Sequence, residues 1–327
     1  MIVVTGSIAY DYLMTFPGCF RDHILPERLD HISLSFLVDE MHKVRGGCAA
    51  NIAYSLALLG ERPYLMATAG CDGGEYRDWL ARHGVDVAGM RLYDDCFTAS
   101  FLVTTDRDGN QIATFYTGAM ARARALSFRD FPTPQQIEWT IISPNDPQAM
   151  ARYAEECRAL GIPFIYDPSQ QVARVGGEEL AAAARGARVL VVNEYEHGLF
   201  LKKTGLSEEG IFGLVETLIV TQGKEGSTIV TVEDGRRVAY SIPAAPAANR
   251  LDPTGVGDAY RAGLLKGLHG GLPWPITGRI ASLAAVYVLE HPGPQPHPYT
   301  REEFVHRYEE AFGPEPAVRR ALVGNES

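Results

Sequence analysis

The sequence predicts an α/β protein, with one parallel sheet covered by helices on both faces and a smaller, two-faced β-sheet beside it. Three observations predict this. From residue 139 onward, short continuous apolar runs such as Val189-Leu190-Val191-Val192 alternate with helical stretches, as strands buried on both faces do. Polar residues close those runs (Asp167, Asn193, Thr221), at the strand ends where open α/β sheets bind ligands. By contrast, residues 12–45 and 97–116 alternate polar and apolar side chains, which marks strands with one wet face.

Taken in order, Met1–Gly6 reads as a buried strand ending in glycine, with Asp11 in the loop that follows. The run His31–Val38 alternates and is expected to be a strand. Gly46-Gly47-Cys48-Ala49-Ala50-Asn51 opens a helix carrying Ile52, Leu56 and Leu59, and Gly60 stops it. That entry is either a polar-ligand site or a plain helix start with Asn51 as a capping amide. Pro63–Ala69 is a strand and Gly74–His83 a helix. Asp106-Arg107-Asp108-Gly109-Asn110 joins Phe97–Thr105 to Gln111–Tyr116 as a hairpin, expected to pair with the 12–45 region. Strands follow at 139–143, 163–167, 187–193 and 217–221, with helices at 147–160, 178–185 and from Glu194. A hairpin turns at Glu233-Asp234-Gly235, and helices cover 276–290 and 301–312.

Length and composition bound the function. The 327 residues suffice for a large core. A net charge of −10 argues against nucleic acid or an anionic membrane as partner. The five cysteines are scattered, without C-x-x-C spacing, which predicts neither a disulfide framework nor a zinc site and fits the cytoplasm. No apolar run is long enough to span a bilayer.

The chemistry concentrates at Asp252-Pro253-Thr254-Gly255-Val256-Gly257-Asp258. A glycine turn runs straight into an apolar helix, so free N–H groups and the positive end of the helix dipole face outward, a site for phosphate. Asp258 beside it would repel a phosphate, but suits a general base for a hydroxyl that attacks phosphorus. The plainer reading is a turn in which Asp252 or Thr254 caps the helix. No G-x-x-x-x-G-K-[ST] occurs, and Tyr260 stands where a dinucleotide fingerprint would place its third glycine.

These residues resemble the ribokinase-like (PfkB) carbohydrate and nucleoside kinases. Residues 252–258 resemble that family's D-T-x-G-A-G-D signature, and Gly46–Asn51 its G-G-x-x-x-N signature. Asn193-Glu194-Tyr195-Glu196 is similar to its N-x-x-E motif, and Thr221–Gly226 to its T-x-G-x-x-G turn. The resemblance covers essentially the whole chain. It implies a three-layer α/β/α sandwich (1–11, 46–96 and 117–327) with a small β-sheet lid (12–45 and 97–116). It also implies ATP, Mg2+ and in some members K+ as cofactors. Asp258 would be the base, and Gly255, Val256 and Gly257 would donate N–H groups to the phosphoryl in flight. Asp11, Gly46, Gly47 and Asn51 would bind acceptor hydroxyls. Asn193, Thr221, Gly223 and Gly226 would hold the nucleotide, Glu196 would order Mg2+ through water, and Asp252 would lie by a monovalent-cation site. The Asp-Pro-Thr-Gly form, with Gly118-Ala119-Met120 after an aromatic pair, most resembles bacterial adenosine-kinase-type members. Phe101, Phe115 or Tyr116 would then stack on a base.

The sequence departs from the family at Ala9, where an asparagine is frequent. A sugar or sugar-phosphate acceptor is the alternative, with Lys43 and Arg45 as candidate phosphate contacts. A non-catalytic nucleotide- or sugar-binding regulator should have lost Asp258 or the glycines, and an NAD-dependent oxidoreductase should bind nicotinamide. The expected partner is a small molecule. The lid would be either a homodimer interface or a single-subunit cover.

Overall fold

The computed structural model describes residues 1–24, 30, 31, 33–295 and 297–324. Its first half runs β1 (Ile2–Thr5), β2 (Ala9–Thr15), β3 (Glu40–Gly46), α1 (Cys48–Leu58), β4 (Tyr64–Gly70), α2 (Gly74–Arg82), β5 (Met90–Tyr93), β6 (Ala99–Thr105) and β7 (Gln111–Tyr116). The second half runs β8 (Trp139–Ile142), α3 (Pro147–Leu160), β9 (Phe164–Tyr166), α4 (Gly177–Ala184), β10 (Val189–Asn193), α5 (Glu194–Thr204), α6 (Glu208–Ile211) and β11 (Thr217–Thr221). It closes with β12 (Ser227–Glu233), β13 (Arg236–Ile242), α7 (Val256–His269), α8 (Trp274–Leu289), α9 (Arg301–Phe312) and α10 (Pro316–Leu322).

Nine strands form the large sheet in the order β13-β12-β11-β10-β9-β8-β1-β4-β5. The hairpin β12-β13 joins antiparallel, while β11 through β5 pair in parallel. Successive side chains of a strand point to opposite faces, and the core divides accordingly. Val189 and Val191 join Ile52, Leu56, Leu264 and Ala281, from α1, α7 and α8. Leu190 and Val192 join Tyr153, Leu180 and Phe200, from α3, α4 and α5. Helices therefore cover both faces, and continuous apolar strands are what such a sheet requires. Local chemistry sets the helix ends. The Asp146 side chain accepts from the Ala149 N–H to start α3, and Thr300 and Glu303 form a capping box on α9.

The second sheet has four strands in the order β3-β2-β6-β7. The hairpin β6-β7 is antiparallel, and β2 lies parallel to β6. The expected pairing of the two alternating regions is present. Two expectations need correction. Asp11 lies within β2, paired with Val44 and Phe101, rather than in a loop. Residues 33–38 of the alternating run form no strand, and Ile32 falls outside the described residues. Phe36 instead packs with Phe16 and Phe20 into an aromatic cluster, and that packing overrides the alternation. Short β5, α6 and α10 carry too few periodic residues to be read locally. Among the described residues, no helix is long and apolar enough to cross a membrane.

Candidate active site

The order of the large sheet reverses where β1 lies beside β8, because β4 continues on one side and β8 on the other. Ligands of open α/β sheets bind at the carboxyl ends of strands near such a point. Just past the end of β1, the Ser7 hydroxyl accepts from the Cys48 N–H and the Ser7 carbonyl accepts from the Ala49 N–H. Gly47 makes that approach with φ 94°, and a Cβ there would meet Ser7 O and Ala9 N at 2.6 Å. This places the start of α1 over the sheet edge.

The start of α7 lies beside it. Gly255 is the N-cap residue, with φ 80° and no side-chain cap. A Cβ at this position would stand 2.4 Å from the Pro294 Cβ, so the turn requires glycine. Neither Asp252 nor Thr254 caps the helix. The Asp252 carboxylate accepts from the Thr254 N–H (2.8 Å) and the Gly293 N–H (2.9 Å), which braces the turn from outside. The Val256 N–H bonds to Pro253 O at 3.3 Å, so it is less available to an anion than expected. The N–H groups of Gly257 and Asp258 meet no acceptor among the described residues and are open to an anion.

The Asp258 carboxyl sits among densely packed atoms yet reaches the cavity. Burial pushes its pKa up to about 6, against the lowering effects of the Asn51 amide and the Arg261 guanidinium. That range suits a base working near neutral pH. The Asn51 side chain is engaged at both ends and does not cap α1. Its Nδ2 donates to Asp258 Oδ2 at 2.8 Å, while its Oδ1 accepts from Gln295 Nε2 at 2.7 Å. Gln295 also donates to the Tyr76 hydroxyl (3.1 Å), which in turn donates to Gly46 O (3.0 Å). This buried chain ties Asp258 to the end of β3. There a Cβ on Gly46 would lie 2.7 Å from Asp11 Oδ2. Burial, and then the negative charge of Asp252, push the Asp11 carboxyl up to about 6.

A cavity of about 750 Å³ opens on the other side of Asp258. It brings together Gly255, Val256, Gly257 and Asp258 with Asn193, Glu196, Thr221, Gly223 and Gly226, three separate stretches of sequence. Asn193 and Glu196 form a capping box on α5. Asn193 Oδ1 accepts from the Glu196 N–H, and Glu196 Oε2 accepts from the Asn193 N–H. Among the described residues, no group of three or more acidic, histidine or cysteine side chains is placed to cage a metal.

The small sheet sorts the remaining candidates by face. Asp11, Phe101 and Phe115 are register partners and share one face. Tyr116 pairs with Ser100, one residue out of step, and so lies on the opposite face from Asp11. The structure thus separates Tyr116 from the other predicted acceptor residues. The same parity removes Lys43 and Arg45, which pair with Tyr12 and Tyr10. The Lys43 ammonium lies 3.6 Å from the Tyr10 ring centroid, and Arg45 is bound by Glu75 and stacked over Trp79. Local reading missed Tyr76, Gln295 and Arg261. Asp167 had a signal, as a polar residue closing a strand, but no partner could be assigned to it.

Known proteins are similar to this chain. The model of the pfkB family carbohydrate kinases matches residues 8–300. A nucleoside kinase of Methanothermobacter thermautotrophicus is 31% identical over 324 residues, 97% of this chain and 98% of that protein. The Burkholderia thailandensis nucleoside kinase solved in complex with inosine is 40% identical, with a TM-score of 0.83 over 96% of this chain and 98% of the other. The same enzyme in complex with ADP-inosine superposes with a TM-score of 0.81 at 41% identity, over 96% of each chain. A glycine-turned helix start with its own carboxylate, on a sheet of this order and across nearly the full length, places the chain in the pfkB family of carbohydrate kinases.

Proposed function

We propose that this protein is an ATP-dependent nucleoside kinase that transfers the γ-phosphate to a primary hydroxyl of a purine-like nucleoside. The observation that carries the reading is the position of Asp258. It stands between a nucleotide-sized cavity and a polar network that ends at Gly46, against which Asp11 lies, at the mouth of an uncapped helix start. ATP would lie along Thr221, Gly223 and Gly226, with its γ-phosphate against the N–H groups of Gly257 and Asp258. Asp258 would take the proton of the acceptor hydroxyl as it attacks phosphorus, and the N–H pair would stabilise the equatorial charge. Asp11 would accept hydrogen bonds from the sugar hydroxyls, and Phe101 and Phe115 on its face would stack on the base. The Burkholderia thailandensis relative, solved with inosine, supports the nucleoside class. The loss of Lys43 and Arg45 from that face counts against a sugar-phosphate acceptor.

The donor set fits a magnesium ion held through water. Asn193 and Glu196 each spend one oxygen on the capping box, and Glu196 Oε1 and Asn193 Nδ2 remain for water and phosphate. The ion would neutralise phosphate charge. Asp252 keeps lone pairs beyond its two N–H partners, which is compatible with a monovalent cation.

We further propose that the small sheet acts as a lid that closes over the acceptor, with the large sheet and its helices as the body. The small sheet takes in Ala9–Asp11 and Gly46, so the lid starts earlier and ends later than the expected 12–45, beside 97–116. The expected body segments 1–11 and 46–96 shrink accordingly, and 117–327 stands. The lid's outer face presents Met41, Leu102, Ile112 and Tyr116, all exposed, which fits a homodimer joined through the lids. An ATP-consumption screen over nucleosides, ribose, fructose and sugar phosphates, with and without potassium, tests the assignment. Turnover should be highest with a purine nucleoside. Turnover of sugars alone would overturn the acceptor class. Sedimentation at several concentrations, compared with Ile112→Lys, tests the dimer.

A further inference from the structure

One buried charge pair beside the site has no part in the chemistry above. Asp167 follows β9 and is 0% exposed, and the Arg261 side chain, on the second turn of α7, is 7% exposed. Their contact is bidentate, with Nε to Oδ2 at 2.7 Å and Nη2 to Oδ1 at 2.9 Å. The third nitrogen, Nη1, donates to the Gly257 carbonyl at 3.1 Å. Ser169 Oγ donates to Asp167 Oδ1 at 2.7 Å and lies 3.4 Å from Arg261 Nη2.

Stability alone does not account for this arrangement. Replacing a buried ion pair by well-packed apolar residues is often neutral or stabilising. Ser169 also has φ 37°, a left-handed conformation that costs a residue with a side chain about 1–3 kcal/mol. Only one other non-glycine described residue has positive φ, and it is Asp234 in an exposed hairpin turn. The strained serine lines the same cavity as Asp258.

We propose that the Asp167–Arg261 pair, braced by Ser169, is a positioning device that fixes the Gly257–Asp258 peptide of the anion hole. The peptide is planar, so holding the Gly257 carbonyl also aims the Asp258 N–H, in the opposite direction. That N–H is one of the two left for the phosphoryl group, and its residue carries the base. The pair also sets the field at the base. Asp258 faces Asn51 and Cys48 from α1, Arg261 from its own helix and Asp167 from the end of β9, while Glu196 of α5 faces Arg261. Arg261 favours the ionised base and Asp167 opposes it.

This inference rests on the reading of Asp258 as the base, and its test separates the two. Full-length Asp167→Asn, Arg261→Met, Arg261→Lys, Ser169→Gly and Asp258→Asn are compared in kcat, both KM values, pH profile and thermal melt. A slightly misplaced anion hole should lower kcat by about a hundredfold in Asp167→Asn and Arg261→Met, with both KM values nearly unchanged. The acid limb of the profile should move to lower pH in Asp167→Asn and to higher pH in Arg261→Met. Arg261→Lys should return the limb to its original place without restoring kcat, since lysine keeps the charge but not the fork. Ser169→Gly, which tolerates the backbone, should show a smaller kcat loss. An unmoved acid limb, with rate losses that track only the melting temperature, would overturn the proposal. So would a raised KM for ATP at constant kcat, which would make Arg261 a phosphate ligand. If Asp167→Asn fails to fold, Arg261→Lys and Ser169→Gly carry the test, because both keep the charges. Turnover surviving in Asp258→Asn defeats the base reading. Turnover lost there but unchanged in the Arg261 and Ser169 variants defeats only the positioning role.

Discussion

Strand β10 buries Val189 through Val192, whereas every residue of β7 is exposed. The large sheet is packed from both faces by helices. Among the described residues, the small sheet's own buried apolar cluster is Ala9 and Ala99 with Met120 from the segment after β7. The two sheets nevertheless share one site. Asp258 sits over the well-packed sheet and Asp11 on the thinly packed one, and burial pushes both carboxyls up to about 6. Packing is thus divided. The proposed base and anion hole rest on the densely packed part, and the proposed acceptor contacts rest on the part with few buried contacts to lose. Closing such a lid would exclude water from the transfer.

The largest effect that sharpens this division comes from Asp258→Asn. Loss of the base should lower kcat by about 10²- to 10⁴-fold while ATP binding, followed by calorimetry, persists. In the unaltered protein, kcat/KM should fall as pH drops through about 6, because a protonated Asp258 cannot take a proton. Stability should show the opposite sign. A carboxyl whose folded pKa is raised stabilises fully below its unfolded value of 3.8, and loses that contribution as pH rises through about 6. Asp258→Asn should therefore raise the melting temperature at pH 8 and change it little near pH 3. An unchanged melt at pH 8 would count against burial as the cause.

A cavity in the large sheet should do the reverse. Ile219 is 0% exposed, so Ile219→Ala should destabilise by about 2–5 kcal/mol in urea unfolding. The folded fraction should keep its kcat. A kcat loss at full folding would mean that the scaffold and the chemistry are coupled more closely than the division allows.

On the small sheet, Asp11→Asn should likewise raise the melting temperature at pH 8, because burial raises that carboxyl too, and should lower kcat/KM for the nucleoside by about 10- to 100-fold, the worth of charged hydrogen bonds. It should also make the acid limb less steep, leaving Asp258 to titrate alone. The smallest effect belongs to Phe115→Ala. Its side chain is 39% exposed, so stability should hold while the nucleoside KM rises several-fold, the worth of one aromatic stack. Tyr116→Ala, on the other face, should leave that KM alone. An equal effect from both would break the assignment of faces.

What was legible in advance was local. The glycine turn running into an apolar helix, with Asp258 at its start, is contained in seven consecutive residues, so backbone freedom and helix polarity sufficed to name the chemistry. The alternation of apolar strands and helices likewise has a short period. The sequence by itself determined the α/β layering and where the proposed anion hole and base would lie. Tertiary structure decided how the residues around them pair. Asn51 reaches Asp258 across 207 positions, Gln295 reaches Asn51 across 244, and Arg261 finds Asp167 across 94, and contacts so distant leave no local pattern. Tertiary structure also decided the faces of the small sheet. A strand's side chains alternate with a period of two, so a step of one residue puts Phe115 beside Asp11 and turns Tyr116 away. That parity is set by strand pairing, which a single strand's residues do not encode.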